Sequence, residues 1–182
     1  MSGPYVMISD RDHGDKAFRA KLKGLEIKVG VPDTPRDDGT PMDEIGAIHE
    51  FGDGKIPARS FLRAWVDEHA AEADAWIRDA ATKYVRGKDE TDPGKYLGVA
   101  ARKIIDSMRK RMEERIPPPL AQATLKRRQG RGTVPLVDSR QLINSLTYEI
   151  AVKGETHHPD HDDEPETEEN ALEGDAVGEV GV

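Results

Sequence analysis

Residues 61–86 constrain the fold more than any other stretch. Leu62, Trp65, Val66, Ala73, Trp76, Ile77, Ala80 and Tyr84 fall on one broad stripe of a long helix, and Trp65 and Trp76, three turns apart, point the same way. Ser60 is placed to cap its start. A second long helix follows over about residues 93–116, opened by Asp92 and Pro93, with Leu97, Ala100, Ile104, Met108, Met112 and Ile116 facing the core. Pro117, Pro118 and Pro119 end it, because proline removes a donor and clashes with the preceding turn.

Two segments of different period bracket these helices. Residues 25–31 alternate Leu25, Ile27, Val29 and Val31 with Glu26, Lys28 and Gly30, and residues 146–152 alternate Leu146, Tyr148, Ile150 and Val152. Both read as strands with one buried face. The fold class that follows is α+β, a small antiparallel or mixed sheet packed on two long helices.

Shorter elements fill the intervals. Thr40, Pro41, Asp43 and Glu44 mark a helix start, with a hydroxyl cap, a proline at the first position and carboxylates at the positive end of the dipole. Met42, Ile45, Ile48 and Phe51 form its apolar face, and Gly52 stops it. Residues 117–137 are a basic loop containing proline and glycine, with a turn of helix at 121–128; a loop of this length is functional or disordered. Residues 138–145 read as a short capped helix. Tyr5 to Ile8 is an apolar run suited to an edge strand or an arm.

Charge divides the chain further. Residues 155–182 carry 11 Asp or Glu and no Lys or Arg, so residues 1–154 hold 27 basic against 35 − 11 = 24 acidic side chains, near +3. The acidic tail has almost no large apolar group to offset its ordering entropy and is expected to be disordered. The organisation expected is an N-terminal arm (1–24), one α+β domain (25–154) and the tail (155–182). Residues 100–131 hold ten Lys or Arg against three Asp or Glu, about +7, a patch that can meet an anionic partner.

The chain has no cysteine, which excludes disulfides and thiolate metal sites. No apolar run approaches the roughly 18–20 residues of a membrane span, and no signal-peptide core opens the sequence, so a soluble chain not exported by that route is expected.

No constellation supports catalysis. His49-Glu50 invites comparison with the zinc-protease helix, but that motif needs a second histidine four residues on, where this chain has Asp53 beyond the helix-stopping Gly52. A surface pair flanking Phe51 is the favoured reading. His157, His158 and His161 stand among acidic residues that are competent metal ligands, but nothing preorganises them in the tail. The loop at 33–43 lacks the ligand order of a calcium-binding hand, and there is no nucleophile elbow, phosphate loop or dinucleotide fingerprint. No metal or cofactor is expected, and no enzyme. Nucleic-acid binding by residues 100–131 is the alternative function, but few aromatics and no recognition motif accompany the charge.

Three stretches, in order, are similar to the tail-completion and head-to-tail joining family of tailed bacteriophages, whose members are minor tail or virion morphogenesis proteins. They are VGVPDT (29–34), IGAIHEFGDGKIPARSFLR (45–63), and IPPPLAQATLKRR (116–128) with PLVDSRQLINSLTYEI (135–150). The family pattern has proline at Ser60 and Thr-Gly at Ser139-Arg140. The resemblance implies a non-enzymatic virion component that forms a homo-oligomeric ring, hexameric in this family, at the head-proximal end of the tail or in the neck. Its partners would be copies of itself and adjacent tail-tube, tail-terminator or head-completion proteins, in the virion and in the host cytoplasm during assembly.

Physical reading of the second stretch agrees. Ile56-Pro57 forces an extended entry, and Arg59 and Arg63 offer planar donors for carboxylates on a neighbour. Phe61 and Leu62 anchor the chain against the sheet or lie at an interface. The interface residues expected are Phe51, Ile56, Pro57, Arg59, Phe61, Arg63, Lys126, Arg127, Arg128, Arg131, Asp138 and Leu142.

Overall fold

The computed structural model describes residues 5–9, 22–36, 39–86, 92–138, 140–152 and 155–158. Strand β1 (Tyr5–Ser9) leads to β2 (Glu26–Gly30), then helices α1 (Met42–Phe51), α2 (Leu62–Arg86), α3 (Pro93–Glu113), α4 (Gln122–Arg128) and α5 (Gln141–Asn144), then β3 (Thr147–Val152) and β4 (Glu155–His157). The strands form one antiparallel sheet in the order β1-β2-β3-β4. The fold is therefore α+β, with the expected strands joined as neighbours although more than a hundred residues separate them.

Register explains the pairing. Ile27 sits opposite Ile150 and Val29 opposite Tyr148, and all four are buried, so one face of the sheet is apolar as the alternation requires. On the other face Lys28 pairs with Glu149 across the strands at 3.0 Å. That contact comes first in holding the Glu149 carboxyl below its ordinary value, against the opposing effect of burial.

Helix α3 is the central element, packed on α2 along one side and on β2 and β3 along another. Leu97, Ala100, Ile104, Met108, Met112 and Ile116 are all buried, and Asp92 caps the helix by accepting from the Lys95 N–H. Trp65 is fully buried and donates from Nε1 to Ser107 Oγ at 3.0 Å, which ties α2 to α3 through the one polar atom of the indole. Trp76 is only partly buried.

Several local expectations are corrected. Helix α1 has Pro41 rather than Thr40 at the N-cap, without a side-chain cap bond. Its buried positions are Met42, Gly46 and Glu50, so the helix is rotated from the expected face and Phe51 is left 59% exposed. Helix α5 is only four residues long, with Arg140 and not Asp138 at its N-cap.

The sheet extends past residues 25–154 in both directions, because β1 joins one edge and β4 the other. Strand β4 lies inside the stretch expected to be disordered. The remaining tail, including His161, and the rest of the N-terminal arm up to residue 21 lie outside the described residues.

Candidate functional site

The joint between α1 and α2 is organised by a carboxylate. Glu50 is 1% exposed, and its two oxygens accept five hydrogen bonds from the start of α2. Oε1 takes the Ser60 hydroxyl at 2.7 Å, the Arg63 N–H at 3.1 Å and Arg63 Nε at 2.9 Å. Oε2 takes the Phe61 and Leu62 N–H groups at 2.9 and 3.0 Å.

The first N–H groups of a helix have no partner inside it, and a negative charge there also meets the positive end of the dipole. Glu50 satisfies both conditions from an adjacent helix. Burial works to raise its pKa, but the Ser60 hydroxyl, the Leu62 N–H and Arg63 outweigh it and hold the carboxyl below the ordinary value. Ser60, expected as the cap, is part of the same device: its hydroxyl donates to Glu50 and accepts from the Ala64 N–H. The surface reading of Glu50 is thus overturned, because eleven intervening residues bring the free helix terminus back onto it.

Between the helices, the chain makes a tight excursion. Gly52 has a φ of +79°, and a Cβ there would come within 3.0 Å of the Ala58 nitrogen and 3.1 Å of the Ile56 oxygen. Only glycine fits both the backbone conformation and the approach. Asp53 Oδ1 accepts from the Lys55 and Ile56 N–H groups at 2.8 and 2.6 Å, and the Arg59 N–H closes the loop on His49 O at 2.7 Å. Residues 53–58 are exposed, and Phe51 and Ile56 (37% exposed) bring large apolar groups to the surface beside Pro57. The Arg63 guanidinium lies 4.8 Å from the centroid of the Phe51 ring.

Two expected interface arginines face inward. Arg59 is 4% exposed and donates to the carbonyls of Pro118, Pro119 and Pro57, which fastens the proline run to the joint. Arg128 is 6% exposed and donates to the carbonyls of Val134, Pro135 and Val137. Burial, and then the charge of Arg128, lower the Arg59 pKa. Burial followed by both arginines lowers that of His49, whose Nδ1 is buried without a hydrogen-bond partner among the described residues.

Arg59, Phe61, Arg128 and Leu142 are therefore buried within this chain and do not offer their side chains to a neighbour. Asp138 forms ion pairs with Arg128 and Arg131 at 3.7 and 3.6 Å. Phe51, Ile56, Pro57, Arg63, Lys126, Arg127 and Arg131 remain exposed. The structure brings the two expected stretches together, since Arg59 of the joint holds the prolines that precede α4.

The basic segment is also smaller than its sequence count. Arg102 bonds to Tyr148 Oη, Arg109 to the Ile143 and Leu146 carbonyls, Arg111 to Glu68, and Arg128 is buried. Lys103, Lys110, Arg115, Lys126, Arg127 and Arg131 are the exposed cations left. Among the described residues no group of three or more His, Asp or Glu is gathered to hold a metal, and no helix is long and apolar enough to cross a membrane. Compared with known proteins, the chain matches no family model, no curated protein and no solved structure.

Proposed function

We propose that the chain is a structural virion protein that forms a ring at the head-proximal end of a phage tail or in the neck and joins tail to head during assembly. The observation that carries this reading is the joint: a buried carboxylate and a buried arginine fix a short loop that exposes the apolar Phe51, Ile56 and Pro57. A loop held in one conformation before contact avoids the ordering cost that weakens flexible interfaces. The same sequence, residues 45–63, carries one of the three resemblances to tail-completion proteins. In this reading the protein acts by binding and not by catalysis, and a ring gains strength from repeating one modest contact around its axis.

Solution mass measured over a range of concentrations, together with co-sedimentation with tail tubes or neck proteins, tests it. A closed oligomer that associates with those particles is expected; a monomer at every concentration that binds neither would sink the proposal. The alternative, a nucleic-acid-binding protein, is weakened by the four arginines engaged internally. A steep fall of DNA affinity with salt would revive it.

A further inference from the structure

We infer that His49 is an acid-sensitive latch: a proton on its ring releases residues 117–138 from the joint between α1 and α2. The inference concerns a single chain and is independent of the ring reading.

His49 lies in the last turn of α1, and its carbonyl accepts the Arg59 N–H at 2.7 Å. From that point the Arg59 guanidinium reaches the Pro118 and Pro119 carbonyls at 2.9 and 3.3 Å, which fastens the start of the segment. Arg128, in the last turn of α4, gathers the rest through the Val134, Pro135 and Val137 carbonyls. Both arginines are buried, and the charge of each acts on the His49 ring. Asp53 opposes them, but it is exposed, and its Oδ1 is engaged by the Lys55 and Ile56 N–H groups. Two clamps and one titratable ring thus form a single cluster where the segment meets the joint.

The ring has no room for a charge there. Its Nδ1 is buried and has no hydrogen-bond partner among the described residues. In the neutral ring with its hydrogen on Nε2, Nδ1 is a bare lone pair, which neighbouring cations stabilise. A proton at Nδ1 converts it to a donor without an acceptor and adds a third positive charge to a desolvated site. Once the segment lifts away, Arg128 leaves with it, water reaches Arg59, and the ring charges freely. The closed form therefore loses ground as pH falls below 6.5, the ordinary value of the ring, while Glu50, held below 4.5, stays ionised.

Amide hydrogen exchange in the full-length chain tests the latch. The reporters are the Arg59, Arg131 and Val137 N–H groups, which donate to His49 O, Arg128 O and Val134 O. Their protection factors should fall about tenfold from pH 7.5 to 5.5. That factor is set by an open form that titrates at 6.5 and a closed form that excludes the proton. The exchange should be nearly independent of low urea, because a local opening exposes little surface, whereas Ile104 and Met108 in α3 should exchange only on global unfolding, with a steep urea slope. His49→Gln should abolish the pH dependence of the three reporters. His49→Leu replaces it in the test should circular dichroism show that glutamine disturbs the fold. Unchanged protection at the two pH values, an equal loss in the His49 variant, or a urea slope shared with Ile104 and Met108 would each overturn the inference.

Discussion

Glu50 and Arg128 are both charged side chains shut inside the chain, and they meet opposite kinds of backbone group. Glu50 faces four N–H donors and a hydroxyl, including the charged Arg63. Arg128 donates from its terminal nitrogens to three backbone carbonyls, while its buried Nε has no hydrogen-bond partner among the described residues and lies 3.7 Å from the partly exposed Asp138. The anion therefore stands at a helix start, where dipole and free donors favour it, whereas the cation organises a segment with no regular structure. A helix terminus and an irregular loop leave opposite backbone groups unpaired, and the sign of the buried side chain follows from that.

The largest effect expected in this comparison is loss of the anion. Glu50→Ala removes the acceptor of the buried Phe61 and Leu62 N–H groups and of the Arg63 N–H, and leaves the Arg63 guanidinium without its carboxylate. Breaking a buried, hydrogen-bonded charge site costs on the order of 3–5 kcal/mol. Urea unfolding of the variant should show this drop, with Glu50→Gln intermediate because it keeps one acceptor oxygen. A loss below 1 kcal/mol for Glu50→Ala would mean that the joint does not depend on the carboxylate.

Arg128→Ala comes next. It removes the donor to the Pro135 and Val137 carbonyls and leaves Val134 O with only the Val137 N–H at 3.3 Å, at a cost of about 2–3 kcal/mol. Arg128→Lys should recover little, because an ammonium cannot reproduce the planar fork that reaches several carbonyls at once. Full recovery by lysine would show that charge alone, not the fork, orders residues 129–138. Protease cleavage within that segment offers a local readout beside the global melt.

Titration separates the two regions again. The Glu50 carboxyl is depressed, so its contribution is present above the ordinary glutamate value of 4.5 and is lost as pH falls through its lower folded value. His49 is also depressed, by burial first and then by Arg59 and Arg128, so below 6.5 the unfolded chain binds the proton more readily and stability falls as pH drops. The melting temperature should decline first below about pH 6.5 and again below about 4.5. His49→Gln should remove the upper step and Glu50→Gln the lower. Profiles of both variants that overlay the natural one would refute the assignment.

What was legible in the sequence follows the range of the interaction. Alternation at 25–31 and 146–152 and the stripes of α2 and α3 depend on each residue's own face, so Ile27, Ile150, Leu97 and Met108 were readable as core. Gly52 was readable as a helix stop because its role is local. Glu50 was not, since an acidic residue at the end of a helix ordinarily faces solvent and its partners are eleven to thirteen residues further on. Arg59 and Arg128 escaped for the same reason: composition counts their charge but does not reveal that carbonyls of Pro118 or Val134 surround it.

The smallest effect expected concerns a left-handed turn built without glycine. Arg140, at the N-cap of α5, has a φ of +62°, so the left-handed turn that glycine favours is kept by a residue that bears a Cβ. That conformation costs a non-glycine residue roughly 1 kcal/mol. Arg140 also forms an ion pair with Glu113 at 2.7 Å, but both side chains are exposed, and such pairs contribute about 0.2–1 kcal/mol. Arg140→Gly should therefore be neutral to mildly stabilising, whereas Arg140→Ala should lose the pair while keeping the strain and be the less stable of the two. Glu113→Gln separates the contributions, since it removes the pair without touching the turn. An Arg140→Gly variant less stable than Arg140→Ala would show that the left-handed backbone is not strained here, since both variants lack the ion pair equally.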